Sequence, residues 1–210
     1  MQNDKIKFQD YSQQEIKILK KLSSPKKIQD FVNGLKANYE KTGQTCMSPR
    51  MVIKTKKAHC MEGALFAAAA LEVSGRKPLV VDLKAVKHDF DHVIAVFKIN
   101  GRWGAISKTN HAVLRYREPV YDSVRELVMS YFHEYFDDQG RKNLREYSSP
   151  FDLSYFNKLN WRTTEENLFE IPAHLDDIKH CKILSRRQIK SLRKADKIEI
   201  EAGKLVEFKK

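Results

Sequence analysis

One stretch in the middle of the chain constrains the fold more than any other. Residues 61–73 are apolar except at three positions, Glu62, Gly63 and Glu72. A helix of this composition is apolar on every side, so other elements must cover nearly all of it. Gly75 follows at the point where a left-handed residue commonly ends a helix. The sequence therefore predicts one core built around a central buried helix.

The length of the chain and the lack of a linker predict a single domain. With 210 residues the chain can bury one substantial core, and no stretch rich in Pro, Gly or Ser divides it. We predict one domain over residues 1–210. It comprises a helical N-terminal part (1–45), a core that carries the central helix (46–136) and a C-terminal extension (137–210).

The N-terminal residues, the apolar stretches and the cysteines indicate the cellular compartment. The N-terminal residues MQNDKIKF lack the apolar run of a signal peptide, and the longest apolar stretch, residues 64–71, is too short to span a bilayer. We therefore expect a cytoplasmic protein with no membrane partner. The three cysteines, Cys46, Cys60 and Cys181, form no CxxC pair, which argues against a disulfide framework or a structural zinc site.

The net charge of +12 raises the question of an anionic partner. Lysine and arginine are spread along the whole chain, which favours a role in solubility over a nucleic-acid site. One basic stretch near the C-terminus is an alternative nucleic-acid contact, but no aromatic residues are interleaved in it. Its basic residues are Arg186, Arg187, Lys190, Arg193 and Lys194. The oligomeric state stays open.

Helix-start signals lie on both sides of the central helix. Ser24-Pro25 and Ser48-Pro49 each combine a capping serine with a first-turn proline. A further helix is predicted after Asp122 or Ser123, because apolar residues follow at helical spacing. We interpret the aromatic segment YFHEYF at its end as core.

An antiparallel hairpin is the sharpest local signal. Residues 92–99 and 102–107 flank Asn100-Gly101, a pair typical of a two-residue turn. The segment LVVDL after Pro78 predicts another strand. The last segment, KIEIEAGKLVEF, alternates around Ala202-Gly203 and predicts a second hairpin.

Cys60 is the first candidate for chemistry. It lies at the start of the central helix, where unpaired N–H groups and the helix dipole favour a thiolate. Basic residues just upstream add positive potential, namely Lys54, Lys56, Lys57 and His59. A free cysteine is also commonly a small buried hydrophobe, and that interpretation remains the alternative.

The hairpin register offers a base for this thiol. With the turn at residues 100–101, His92 pairs with Thr109 across the ladder. By the same register Ile94 pairs with Ser107. Because side chains alternate along a strand, His92, Ser107 and Thr109 share one face of the sheet. A histidine among apolar strand neighbours indicates a functional role, the alternative being a structural histidine bonded to a carbonyl.

The order and spacing of these residues resemble the transglutaminase-like superfamily, which shares the papain-like core. Its members carry a Cys at the start of a buried helix, a His that opens a strand, and an Asp that ends the next strand. Here AHCMEGALFAAAALEVSG is similar to the cysteine helix, DHVIAVFKINGRW to the histidine strand and turn, and WGAIS to the last strand. The resemblance covers roughly residues 45–110. It implies an α+β papain-like fold, with the buried cysteine helix packed on an antiparallel sheet.

The resemblance also implies roles for two residues and a departure at a third. Cys60 corresponds to the nucleophile and His92 to the general base and acid. Ser107 stands where the family has its Asp. Serine can accept a hydrogen bond from the imidazole but supplies no negative charge. Either Ser107 orients His92 as a neutral residue, or Thr109 or Asn110 takes this role, or the site is inactive.

The predicted function is cysteine-dependent acyl transfer or hydrolysis, of the peptidase, amidase or transglutaminase type. The expected partner is a peptide or protein amide substrate, and no cofactor is expected. The alternative is a catalytically weak or inactive binding module whose basic surface meets an anionic partner.

The segment HDFDH has the residue types of a metal site. His88 and His92 flank two aspartates in the segment HDFDH. In an extended segment these histidines lie about 13 Å apart, too far to share one ion. We therefore expect no metal there, and we expect Asp91 to shape the loop or the surroundings of His92.

Overall fold

The computed structural model describes residues 10–41 and 43–209. The segment MQNDKIKF, on which the prediction of no signal peptide rests, lies outside the described residues. Among the described helices, none has the length and apolar character needed to cross a membrane. The eight α-helices of the described chain are α1 (Gln13–Lys21), α2 (Pro25–Asn33), α3 (Pro49–Thr55), α4 (Cys60–Val73), α5 (Val124–Phe132), α6 (Glu170–Asp177), α7 (Arg186–Lys190) and α8 (Lys197–Gly203).

A seven-stranded antiparallel sheet forms the centre of the molecule. Its strands run in the order β6-β5-β4-β3-β7-β9, and β8 also pairs with β3. A separate short pair, β1 and β2, is parallel. The strands are β1 (Lys36–Ala37), β2 (Lys57–Ala58), β3 (Leu79–Lys84), β4 (His92–Ile99), β5 (Arg102–Ile106), β6 (Arg117–Tyr121), β7 (Glu146–Ser148), β8 (Phe151–Asp152) and β9 (His180–Lys182). Strands β7 to β9 come from the segment after residue 136 and complete the same sheet.

The cysteine helix α4 is the buried element that its composition predicts. All of its residues from Met61 to Glu72 are buried, and it packs against β4 and against α1, α2 and α3. Gly75 follows it with a φ of 85°, the left-handed conformation expected of a terminating glycine. The predicted α+β class, with a buried cysteine helix on an antiparallel sheet, is confirmed.

Capping serines start the predicted flanking helices. The hydroxyl oxygens of Ser24, Ser48 and Ser123 each accept a hydrogen bond from the backbone N–H three residues later. Helix α1 was not predicted, although Ser12 and Glu15 form a complete capping box at its start. That signal is local and was present in the sequence.

The two faces of the sheet bury different side chains. Val93, Ala95 and Phe97 of β4 pack in the core that contains α4. The alternate residues Ile94 and Val96 pack on the opposite face with α5. This second core also holds the aromatic residues interpreted as core from the sequence, Tyr131, Phe132 and Tyr135.

The hairpin between β4 and β5 has the predicted register over most of its length. Pairing runs from Ile99↔Arg102 to Ala95↔Ile106, and Asn100 and Gly101 have φ values of 49° and 78°. Two positive φ values are the requirement of the tight hairpin turn that Asn-Gly favours. The ladder ends at Ile106, so the backbone pairs predicted for Ser107 and Thr109 do not form. Ser107 instead lies in the first position after the strand.

The predicted C-terminal hairpin is wrong. Residues 197–203 form helix α8, which begins with a capping box in which Asp196 N–H donates to Glu199 Oε2 at 2.6 Å. No residue of α8 is buried, so the alternation of apolar and charged residues carried no information about a sheet face. After the helix, Val206 forms an isolated antiparallel bridge with His111.

Candidate active site

Cys60 is the first residue of α4, and its side chain is half-buried. Its thiol borders two cavities, of about 480 Å³ and about 210 Å³. Both cavities are also lined by His92 and Thr109. The thiol is therefore desolvated on the helix side and accessible to a ligand from either cavity.

His92 opens strand β4 and is held from one side by Ser107. Its Nε2 lies 2.8 Å from Ser107 Oγ. The Ser107 hydroxyl donates its own proton to the carbonyl of Leu114 at 2.5 Å, so toward His92 it can only accept. Neutral His92 therefore carries its proton on Nε2, which leaves Nδ1 as the basic nitrogen for the Cys60 thiol.

Gln29 of α2 fixes the position of Ser107. Its side-chain Nε2 donates to Ser107 O at 2.9 Å, and Ser107 N–H donates to Gln29 Oε1 at 3.0 Å. Both residues are buried. The serine thus has its backbone and its hydroxyl satisfied by fixed partners, and its lone pair points at the imidazole.

A second histidine lies beside the thiol. His59 immediately precedes Cys60, and its Nε2 is 3.0 Å from the carbonyl of Thr45 and 3.4 Å from Glu62 Oε1. The Glu62 side chain is fully buried. Its carboxylate accepts hydrogen bonds from Asn38 Nδ2, Thr45 Oγ1, Met47 N and His59 N.

The electrostatics of the site favour a thiolate. Burial opposes ionisation of Cys60, but hydrogen bonds and positive charge from His59 and His92 outweigh it and lower the pKa to about 5. For His59, burial opposes protonation, and the hydrogen bond to Cys60 with the charge of Glu62 raises the pKa to about 9. By contrast, burial beside Glu62 raises the pKa of Cys46 to about 12. Of these two thiols, only that of Cys60 is both accessible from a cavity and ionised at neutral pH.

Of the three candidates for orienting His92, Ser107 is the one in contact with it. Thr109 Oγ1 instead accepts a hydrogen bond from His111 N at 3.0 Å. The Asn110 side chain is bonded to the main chain of Phe208. The structure therefore brings Cys60, His92 and Ser107 together and assigns Thr109 and Asn110 to other contacts.

The possible metal ligands lie elsewhere. In the described part of the chain, Asp82, Asp91 and Asp176 place carboxylate oxygens within 4.8 Å of one another, a grouping that includes neither His88 nor His92. Asp82 is bound to His180 Nε2 at 2.9 Å, and Asp91 accepts from Ala85 N at 2.7 Å. Asp91 thus holds the loop before β4, one of the two roles expected of it.

Sequence reasoning missed most of the residues that support the site. His59 was noted as a source of positive charge, but its contact with Glu62 was not. A His–Glu spacing of three at a helix start is the local signal for that pair. Gln29 had no such signal, because its partner Ser107 lies 78 residues away in sequence.

A comparison with family models decides the relationship. A model described as a transglutaminase-like domain matches residues 2–116, more than half of the 210 residues. The chain belongs to the transglutaminase-like family. Cys60, His92 and Ser107 all lie within the matched region of this transglutaminase-like protein. No curated protein matches the chain.

Proposed function

We propose that this transglutaminase-like protein is an enzyme that uses Cys60 for acyl transfer or hydrolysis on an amide or ester. The observation that supports the proposal is the hydrogen-bonded series from Cys60 through His92 to Ser107, placed where two cavities meet. Nucleophilic catalysis by cysteine needs a thiolate, a base that is oriented by a third group, and access for a carbonyl carbon. Each requirement has a named residue here.

In the first half of the reaction the proton of the Cys60 thiol lies on His92 Nδ1, and the thiolate sulfur attacks the carbonyl carbon of the substrate. A carbon–sulfur bond forms, and the carbonyl electron pair moves to oxygen. The backbone N–H of Cys60 is one of the unpaired donors of the helix start and can stabilise this oxyanion. When the tetrahedral species collapses, the leaving amine or alcohol receives a proton from the His92 imidazolium.

The second half consumes the thioester on Cys60. A water molecule or an amine attacks the acyl carbon while His92 Nδ1 accepts its proton. The thiolate then leaves, and the proton on His92 restores the starting state. The products are an acid with water as acceptor, or a new amide with an amine.

Glu62 offers a reason why a neutral residue suffices at position 107. When the thiolate has formed and His92 has its proton, two imidazolium groups face one thiolate. The buried Glu62 carboxylate beside His59 brings the local sum of charges to zero. The negative charge that an Asp would supply at the third position is thus present on the other side of the thiol.

Acylation by an activated ester tests the proposal. After mixing with a chromogenic acetyl ester, intact-mass analysis is expected to find one acetyl group, mapped to Cys60. Cys60→Ala should not be acetylated. Cys181→Ala, which removes an exposed thiol, should still gain one acetyl group. Equal acylation of the Cys60→Ala protein would overturn the proposal.

A second candidate is a binding module without turnover, and the neutral Ser107 is the observation that favours it. Such a module would keep a reactive Cys60 but hydrolyse no thioester, and it would bind an anionic partner through its positive charge. Gel shifts with generic DNA and RNA at about 0.15 M salt test the nucleic-acid form of this idea. We expect weak binding without sequence preference, in line with the scattered basic residues.

A further inference from the structure

The residues after helix α8 lie along the loop that follows Thr109 and pair with it through main-chain hydrogen bonds. Ala112 N–H donates to Leu205 O at 3.1 Å, and Glu207 N–H donates to Asn110 O at 2.9 Å. Between these two bonds, Val206 and His111 form an antiparallel bridge. Residues 110–112, here called the docking edge, therefore bind a neighbouring segment through main-chain groups.

Asn110 extends this pairing with its side chain. Its Oδ1 accepts from Phe208 N–H at 2.9 Å, and its Nδ2 donates to Phe208 O at 2.9 Å. The hydroxyl of Tyr39 also donates to Phe208 O, at 2.5 Å. An amide that bonds both the N–H and the C=O of one residue recognises an extended backbone and not a particular side chain.

The C-terminal segment 205–208 is held with little apolar burial. Leu205 is 64% exposed and Val206 is 43% exposed. One ion pair, Arg115 to Glu207 at 3.1 Å, involves a side chain of the segment. The Phe208 ring lies 5.1 Å from the ammonium of the buried Lys108. Segments held by a few hydrogen bonds with little apolar burial open at a low free energy, so this one can exchange with another extended chain.

The docking edge adjoins the nucleophile. Asn110 and Tyr39 line the smaller cavity together with Cys60 and His92. His111 lines the larger cavity, which also contains Cys60. Gly203 and Lys204, which precede the docked segment, line the same larger cavity. A peptide that binds along the docking edge and continues in that direction would therefore reach the cavity that borders the thiol.

We propose that the docking edge, with Asn110 and Tyr39, is a binding site for the main chain of an extended peptide substrate, and that residues 205–208 occupy it in the resting protein. The inference rests on the proposed function of Cys60 and adds the substrate class and a regulatory contact. It selects peptides that can extend as a β-strand, with a preference for an aromatic side chain where Phe208 meets Lys108.

An internal competitor lowers the apparent affinity for substrate by the fraction of time that it occupies the site. A tethered segment acts at an effective concentration near millimolar. Even weak docking therefore reduces peptide binding on the order of tenfold, whereas small reagents that ignore the docking edge should be unaffected.

Two alkylating probes of different size provide the test. The full chain and a chain that ends at Lys204 are each treated with iodoacetamide and with an iodoacetylated tetrapeptide, and the labelling of Cys60 is followed by mass spectrometry. We expect the truncated chain to react with the peptide probe on the order of tenfold faster and with iodoacetamide within about twofold. Equal acceleration of both probes, or of neither, would overturn the inference.

A charge reversal in the full-length chain gives an independent arm. Glu207→Lys places two cations at the Arg115 contact and should weaken the docked segment, which raises the rate with the peptide probe. Glu201→Lys makes the same change on α8, where the Glu201 side chain is 64% exposed and pairs with Lys197 and not with Arg115. It should leave that rate at the wild-type value. Equal effects of both changes would show that net charge, and not docking, controls the rate.

The segment can also be supplied as a free peptide. A blocked peptide of residues 204–209 should protect Cys60 of the truncated chain from the peptide probe at millimolar concentration. The same peptide with Phe208→Pro lacks the N–H that Asn110 accepts and should protect much less.

If iodoacetamide fails to label Cys60 in every chain, the proposed function fails. If iodoacetamide labels Cys60 but neither truncation nor peptide changes the peptide-probe rate, only this inference fails.

Discussion

Gln29 and Ser107 exchange two hydrogen bonds although 78 residues separate them in sequence. The pair connects helix α2 to the residue that orients His92. The imidazole is therefore positioned from outside the hairpin that carries it. The N-terminal helices, which are remote from the thiol in sequence, become part of the support of the site.

The first prediction concerns this pair. Gln29→Ala leaves the buried N–H and C=O of Ser107 without partners, which should lower the free energy of unfolding by about 2 to 5 kcal/mol. Guanidinium unfolding followed by circular dichroism measures the loss. Gln14→Ala, an exposed position on α1, is the matched control and should stay within about 0.5 kcal/mol of wild type. Similar losses in the two variants would contradict the role given to Gln29.

The second prediction is the pH dependence of Cys60 alkylation. Because hydrogen bonds from His59 and His92 outweigh burial and lower the Cys60 pKa to about 5, the thiolate is nearly complete above about pH 6. The iodoacetamide rate should be flat from there upward and fall as the pH drops through about 5. In the urea-denatured chain the rate should instead rise about tenfold per pH unit until about pH 8.5.

The same experiment ranks the cysteines. Cys60 should be labelled before the exposed Cys181 at pH 6, and the buried Cys46 should react last, since burial raises its pKa to about 12. A rate for native Cys60 that climbs with pH as in the denatured chain would show that the thiol is not poised.

The third prediction separates the two histidines. His92→Ala and His59→Ala each remove one positive partner of the thiolate, so each should raise the midpoint of the alkylation profile by about one pH unit or more. Turnover of an ester should vanish with His92→Ala, which removes the base and acid, but persist at a lower rate with His59→Ala. His133→Ala, an exposed histidine, is the control. If His92→Ala turned over the ester at the wild-type rate, His92 would not be the general base.

The fourth prediction concerns the third residue. Ser107→Ala removes the acceptor for His92 Nε2–H and should reduce ester turnover by about tenfold or more. Thr109→Val removes a neighbouring hydroxyl that bonds His111 N and should cost less than about twofold. The comparison uses steady-state rates of the two variants at equal folded fraction. A larger loss in Thr109→Val would transfer the orienting role to that residue.

Local signals accounted for most of the fold near the site. A capping serine with a first-turn proline marks α2 and α3, an all-apolar run marks α4, and Asn-Gly marks the hairpin turn. Each signal acts over a few residues, so it can be recognised in the sequence without knowledge of the tertiary structure. The predicted closeness of His92 and Ser107 followed from the hairpin register, although the ladder stops at Ile106.

The misses have a common physical cause. Gln29 and the C-terminal segment act through partners far away in sequence, and no local pattern encodes such contacts. The alternation around Ala202-Gly203 predicts a hairpin, but alternation reports a strand only where one face is buried, and no residue of α8 is buried. Where no side chain is buried, capping at Asp196 decides the conformation, and periodicity does not.

The last prediction tests the buried carboxylate. Glu62→Gln replaces one acceptor oxygen by an amide NH₂, which meets donors such as Met47 N and Thr45 Oγ1 where the carboxylate accepted from them. It also removes the charge that favours protonated His59, so the thiolate loses part of its positive partner. The midpoint of the Cys60 alkylation profile should therefore rise by about one pH unit, in addition to a loss of stability.

Stability loss alone would not move that midpoint, and the same helix provides the control. Glu72, near the other end of α4, is also buried and accepts two hydrogen bonds from Arg162 at 2.5 Å. Glu72→Gln should destabilise the protein by about 3 to 5 kcal/mol while leaving the midpoint at about pH 5. Measured on the folded fraction, a shift in Glu62→Gln alone assigns the effect to charge beside His59. Equal midpoints in the two variants would show that Glu62 serves the packing of the helix start and not the ionisation of Cys60.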